Sequence, residues 1–333
     1  MHVTGRNVND VFTDAMWYMR ALGDDCLESS RNGPVLVAPG PVLSTYLRPW
    51  ERVLFDARRD CNPVFHLMEA IWMLAGQQDV EWLSQFNSNI SRYADDGVMN
   101  GAYGFRWRSQ FGGIDQIRYV VATLRNDPNS RRAVINMWDP AQDINPDWKD
   151  VPCNTTIYFD LRGGKLNMTV CCRSNDAIWG CYGANVVHFS MLQEYIAAFL
   201  QRPIGVYRQF SNNFHIYTEL ALWKEYKLMP PIFTQAYTHD VSGPHEDPFT
   251  VPLVDSSEKP GVFRDDCYRL LAGEPCKSAF MTQVAEPLRD AYLARKAGDK
   301  TSMMHFQTRT RYCDWDRAFR QWVARRENND VSE

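Results

Sequence analysis

Chemistry first becomes legible at Val151-Pro152-Cys153-Asn154. A proline fixes the backbone ahead of a thiol, and a thiol becomes a strong nucleophile where cationic neighbours favour its ionised form. By itself Cys153 also fits a core position, since cysteine is among the most buried residue types. Ser130-Arg131-Arg132 adds two guanidinium groups that enter a strand on opposite faces. Their forks suit phosphate, although a solvated pair on an edge strand has the same pattern. Cys172-Arg173-Ser174-Asn175-Asp176 supplies a third arginine at a strand end, followed by hydrogen-bonding side chains. Together the three stretches fit a phosphorylated polar ligand held beside a thiol.

The elements that must position these residues mix without regular alternation. Apolar residues at helical spacing predict helices over 11–22, 63–75, 80–86, 114–124 and 185–200. Residues 33–49 read as extended, and strands are expected over 132–138, 155–161, 165–172 and 206–210. Arg162-Gly163-Gly164 marks a hairpin turn. This mixture favours α+β over a doubly wound parallel sheet. A polar loop over 238–260 precedes helices expected over 262–271, 279–297 and 312–326. We read residues 1–238 as the catalytic region, and 239–333 as a loop and helical C-terminal extension packed on the same domain.

Composition narrows the class. Of 333 residues, 45% are apolar, enough for a sizeable core. A formal charge of −4 excludes a broad basic surface for unselective nucleic-acid binding, yet leaves room for a local anion pocket. No apolar stretch reaches the roughly 18 residues of a membrane span, and no signal-peptide pattern opens the chain. The nine cysteines are scattered with no CxxC pair, so neither a zinc framework nor a redox motif is implied. Reduced thiols in a cytoplasmic protein, with no membrane, nucleic-acid or metal partner, is the expectation.

Taken in order, Arg131-Arg132, Pro152-Cys153, Arg173-Ser174 with Asp176, Asn185 and His215-Ile216-Tyr217 resemble the signature of thymidylate synthases. The run HLMEAIWMLAG over 66–76 is similar to that family's helix bearing a catalytic glutamate, here Glu69. Gly101-Ala102-Tyr103-Gly104 with Trp107-Arg108 resembles a further family segment, one residue short before the tyrosine. The resemblance spans about 31–219, and several motifs in register are far more specific than any one of them. It implies a thymidylate synthase-like fold, a mixed β-sheet flanked by helices. It also implies an enzyme that transfers a one-carbon unit from 5,10-methylenetetrahydrofolate to C5 of a pyrimidine nucleoside monophosphate. Cys153 would add to C6 and make C5 nucleophilic. Glu69, a carboxyl among apolar neighbours, would exchange protons through ordered water, and Tyr103 would organise the water that removes the C5 proton. Arg31, Arg131, Arg132 and Arg173 would hold the phosphate and favour the thiolate, with Ser174 in support. Arg131 and Arg132 would come from the partner subunit, which implies a homodimer with shared sites. His215 and Tyr217 would bind the sugar 3′-hydroxyl, Asn185 the pyrimidine edge and Asp176 the pterin.

Three departures shape the expected product. Ser91 stands nearest the position where the family carries a tryptophan that keeps water from the methylene intermediate. The tail over 325–333 is polar and ends Val-Ser-Glu, where the family has an apolar tail that closes over folate. The 173–185 segment is one residue longer than the family pattern, with Trp179-Gly180-Cys181-Tyr182-Gly183 replacing its usual loop. All three resemble the hydroxymethylase branch and favour a 5-hydroxymethyl product over methylation. A carboxamide at 185 can accept from N3–H and donate to O4 of uracil, or turn end for end to suit cytosine. Hence dUMP is preferred, and dCMP or CMP stay open. The alternatives are a true thymidylate synthase and a non-catalytic homologue that binds nucleotide or RNA.

Overall fold

Gly163 and Gly164 take positive φ, +58° and +75°, the conformation a two-residue hairpin turn demands. They join two of the eight strands found among the described residues, which in this computed structural model are 1–144, 146–232 and 236–330, the last three by backbone alone. In chain order the strands are β1 (His2–Gly5), β2 (Leu27–Ser30), β3 (Gly33–Val37), β4 (Val42–Tyr46), β5 (Val134–Asn136), β6 (Asn154–Arg162), β7 (Lys165–Asp176) and β8 (Ile204–Tyr217). One path through the sheet runs β1-β4-β8-β7-β6-β5, and β3 bridges β2 to the far end of β8. β6 and β7 are antiparallel, β7 and β8 parallel, and β8 antiparallel to β3 and β4. The sheet is therefore mixed, in keeping with an α+β chain rather than a doubly wound parallel one.

The helices are α1 (Val8–Arg20), α2 (Pro63–Leu74), α3 (Tyr103–Arg108), α4 (Gln116–Asn126), α5 (Pro140–Asp143), α6 (Val186–Leu200), α7 (Ala221–Leu228), α8 (Pro260–Ala272), α9 (Glu286–Lys296), α10 (Lys300–Arg309) and α11 (Asp314–Asp330). The Asn62 side chain caps α2 by accepting from Phe65 N, and Pro63 supplies the first turn. All of α2 is buried, and a helix that is apolar on every side needs cover on every side. α6 lies against β7 and β8, α2 lies against α6, and α8, α9 and α11 lie against α2. A single apolar cluster runs from Val3 to Val323 and takes in Phe263, Leu288 and Trp322 of the C-terminal helices.

The loop after α7 is pinned rather than loose. Leu253 N donates to Glu194 on α6 at 2.9 Å, and the Tyr237 hydroxyl donates to Asp314 on α11 at 2.8 Å. No helix of the described residues is long and apolar enough to cross a membrane.

Local pattern misjudged several boundaries. The helix expected over 80–86 is only a 3-10 turn, Leu83–Gln85, because Asp79 is tied to Val98 and accepts from the Trp72 indole at 2.9 Å. β8 runs on past the strand expected over 206–210 and through Asn212-Asn213, because β7 pairs with Asn213 and Phe214 and β3 then pairs with His215, Ile216 and Tyr217. Helices α3, α5, α7 and α10 and strands β1 and β2 were not anticipated. The polar tail expected to end the chain lies in part on α11, and residues 331–333 fall outside the described residues.

Gly104 controls how closely α3 approaches α2. A Cβ there would stand 2.1 Å from the Met73 carbonyl oxygen, so backbone must move. We expect Gly104→Ala to lower the unfolding free energy by roughly the 1–3 kcal/mol of an overpacked core site, read as a lower urea midpoint. An unchanged midpoint would show that α3 shifts freely.

Candidate active site

Cys153 sits where the chain enters β6, and Arg173 of β7 holds it there. Arg173 N donates to Cys153 O at 2.9 Å, and its Nε donates to Pro152 O at 3.0 Å. The same guanidinium reaches Val151 O at 3.2 Å and lies 4.0 Å from the Cys153 sulfur. Burial pushes the thiol above its usual pKa, Arg173 and Arg31 pull it down, and Asp150 pushes it up. Two of the expected arginines thus favour the thiolate, but desolvation outweighs them. Arg31 belongs to the exposed turn between β2 and β3. Arg131 and Arg132 are exposed just before β5, and their guanidinium groups have no hydrogen bond or ion pair among the described residues.

Behind Cys153 runs a chain of buried amides. The Tyr103 hydroxyl accepts from Asn154 N at 3.1 Å and Asn154 Nδ2 at 2.9 Å. Asn154 Nδ2 also donates to Asn185 Oδ1 at 3.3 Å, and Asn185 Nδ2 donates to Asn175 Oδ1 at 3.1 Å. Asn175 ends on Ser211 at 2.9 Å, and Gln209 Nε2 donates to Asn154 Oδ1 at 3.0 Å. Asn185 therefore keeps one spare lone pair on oxygen and one spare N–H, an adjacent acceptor and donor. Gly180 leaves space for this network, since a Cβ there would come within 3.2 Å of Asn175 Oδ1. Residues Ala177–Asn185 form a π-helical segment that runs into α6, and this wider turn absorbs the extra residue noted in the sequence. Arg59 braces it, donating to Ile178 O at 2.5 Å and lying 4.3 Å over the Trp179 ring.

At the far end, Asp176 and His215 are register partners across β7 and β8. Burial lifts the Asp176 carboxyl above its usual pKa and lowers the His215 imidazole, while the two attract each other. Asp176 Oδ1 accepts from Trp179 N; Oδ2 is buried with no partner among the described residues, so the site retains a carboxylate acceptor for a polar N–H ligand. His215 Nδ1 is fixed by Asn213 Oδ1 at 2.7 Å, and the Tyr217 ring stands edge-on to it at 5.4 Å. Ser174 pairs with Asn213 in the same ladder.

Glu69 projects from α2 with Oε2 2.9 Å from Nε2 of His188, one turn beyond Asn185 on α6, without hydrogen-bond alignment. His188 was not anticipated from sequence; only its spacing from Asn185 marks it. Asp150 was missed as well, although it stands three residues before the nucleophile.

A sequence model of the thymidylate synthase family matches residues 58–228, and that span carries every site residue described here except Arg31. The chain belongs to the thymidylate synthase family. Across 335 residues it is 38% identical to a deoxyuridylate hydroxymethyltransferase of Pseudomonas phage M6, a match covering 96% of this chain and 93% of that protein. It is also 38% identical over 190 residues to the deoxyuridylate hydroxymethyltransferase of Bacillus phage SP01, covering 54% of this chain and 50% of the phage protein. Similarity to the thymidylate synthase of Symbiobacterium thermophilum is 28% over 223 residues, or 58% of this chain and 74% of that enzyme. As a member of the thymidylate synthase family the chain is a one-carbon transferase.

Arg173 gives a direct test of the electrostatics. Removing a cation beside a buried thiol raises the thiol's pKa further, so less thiolate is present at any given pH. We expect Arg173→Gln to slow alkylation of Cys153 by iodoacetamide and to move the pH profile of that reaction upward. An unmoved profile in a folded variant would refute the pairing.

Proposed function

We propose that this chain converts deoxyuridylate and 5,10-methylenetetrahydrofolate to 5-hydroxymethyldeoxyuridylate and tetrahydrofolate. The observation that carries this reading is the near full-length similarity to the phage M6 protein named deoxyuridylate hydroxymethyltransferase. The site chemistry supports it. Cys153 adds to C6 as thiolate, helped by Arg173 and by the negative charge that moves onto the substrate. The spare acceptor and donor of Asn185 match uracil N3–H and O4, and the buried amide chain holds them in place. Tyr103, fixed by Asn154, orders the water that takes the C5 proton, and Glu69 beside His188 exchanges protons near the base. Arg31, Arg173 and Ser174 bind the phosphate, His215 and Tyr217 the sugar hydroxyl, and Asp176 Oδ2 the pterin ring.

Hydration rather than hydride transfer follows from an open site. Ser91 is small and exposed, so nothing bulky at that position keeps water from the exocyclic methylene. The unpaired Arg131 and Arg132 are the donors a second copy would insert into the phosphate site, which makes the enzyme a homodimer. Residues 239–333 act as an extension that covers α2. The nine free cysteines suit a reducing cytoplasm.

Incubation of the protein with the folate and each pyrimidine monophosphate should give the hydroxymethyl product from dUMP, read by mass, with no absorbance change from dihydrofolate. Thymidylate with stoichiometric dihydrofolate would make it a thymidylate synthase, and preference for dCMP or CMP would reassign the base. Arg131→Ala and Cys153→Ser subunits, each inactive alone, should regain activity on mixing; failure despite proven exchange would rule out shared sites. Asn185→Asp should move selectivity toward cytosine, since an unmatched buried polar group costs about 1–3 kcal/mol. Equal relative efficiencies before and after would mean Asn185 does not read the base.

A further inference from the structure

Asp150 has no role in the assignments above, yet its setting is specific. It lies three residues before Cys153, and its charge acts on that thiol. Oδ2 accepts from Gly101 N at 3.0 Å, while Oδ1 has no partner among the described residues. A Cβ at position 101 would stand 2.7 Å from Oδ2, so only glycine leaves the carboxylate where it is. Gly101 begins the segment that carries Tyr103, and Asp150 and Tyr103 therefore flank the nucleophile from one strand entrance. Asp150 is partly exposed, unlike the buried Glu69, so solvent reaches it.

We propose that Asp150 is the general base for hydration of the methylene intermediate, a role that rests on the hydroxymethyl-transfer reading. The water oxygen bonds to the exocyclic methylene carbon, and its proton passes to Oδ1. The methylene π pair moves through C5 into the C4 carbonyl as an enolate. Collapse of the enolate restores the C5–C6 double bond and breaks the C6–sulfur bond, releasing Cys153 as thiolate. One water is gained and no oxidant or reductant is needed. Glu69 is buried on α2 beside His188, whereas Asp150 is partly exposed and has a free oxygen on the nucleophile's own segment.

The carboxyl has a base's proton affinity. Burial lifts it to about 6, against the Gly101 hydrogen bond and the Arg106 charge, while Glu69 and Asp95 add to the rise. Ionised above that pH, it accepts a proton at neutrality.

The test separates the two halves of the reaction with [5-³H]dUMP. Tritium release reports loss of the C5 proton, and mass analysis reports hydration. We expect Asp150→Asn to release one equivalent of tritium per site at a near wild-type rate, while hydroxymethyl product falls by about 10²–10⁴-fold. An added thiol should then trap the methylene as a thioether. Asp150→Glu should recover part of the hydration rate, and the wild-type hydration rate should decline below about pH 6, a limb absent from Asp150→Asn. Parallel loss of tritium release and product, or undiminished product from Asp150→Asn, would overturn the role of Asp150 alone. Thymidylate from the wild-type protein in the same assay would overturn the hydroxymethyl reading and this role with it.

Discussion

The register among β6, β7 and β8 is the constraint on which the site depends. Cys172 lies opposite Asn154, Ser174 opposite Asn213 and Asp176 opposite His215. Because side chains alternate faces along a strand, a slip of one residue would turn the whole set away from the cleft. The Gly163-Gly164 turn sets one pairing, and α6 returns the chain to make the other. Arg173 then ties β7 to the segment ahead of β6, so the nucleophile is positioned by the sheet rather than by a free loop.

Desolvation sets the chemical character of this cleft. Burial raises the Cys153 thiol, raises Asp150 and Asp176, and lowers His215. Each shift works against the charged form, and neighbouring opposite charges only partly offset it. The amide chain from Gln209 to Asn175 satisfies its members one by one, as buried polar groups must be. What it leaves unmet, one edge of Asn185 and Asp176 Oδ2, is where ligand polar groups have something to gain.

The C-terminal helices bear on the same site through α2. Glu69 lies on a helix whose every residue is buried, so its position depends on what covers the far side. Arg325 and Arg326 of α11 both pair with Asp60, two residues ahead of the Asn62 cap, at 2.9 and 2.6 Å. These half-exposed pairs add little energy singly, but they fix where α2 begins. Asp314, buried against Tyr237 and raised to about 7, locks the other end of α11 to the long loop.

The sequence by itself determined the local pieces: a proline at the start of α2, a glycine pair for the hairpin, and a thiol after proline with arginines in order. These are short-range steric and hydrogen-bonding preferences, so the chain carries them wherever it folds. Resemblance to a family then ordered the site residues, and both the family and the fold class agree with the comparisons and the sheet. Tertiary structure decided the rest. The full length of β8 came from β7, which pairs with it at Asn213, and from β3, which pairs with it beyond. The upward shift of Cys153, despite its arginines, came from burial, which depends on what packs around the thiol and not on its neighbours in sequence. His188 reached Glu69, and Asp150 reached Gly101, across 119 and 49 positions of the chain. No local pattern encodes such distances; only the packing of α6 on α2, and of the β6 entrance on α3, brings those groups together.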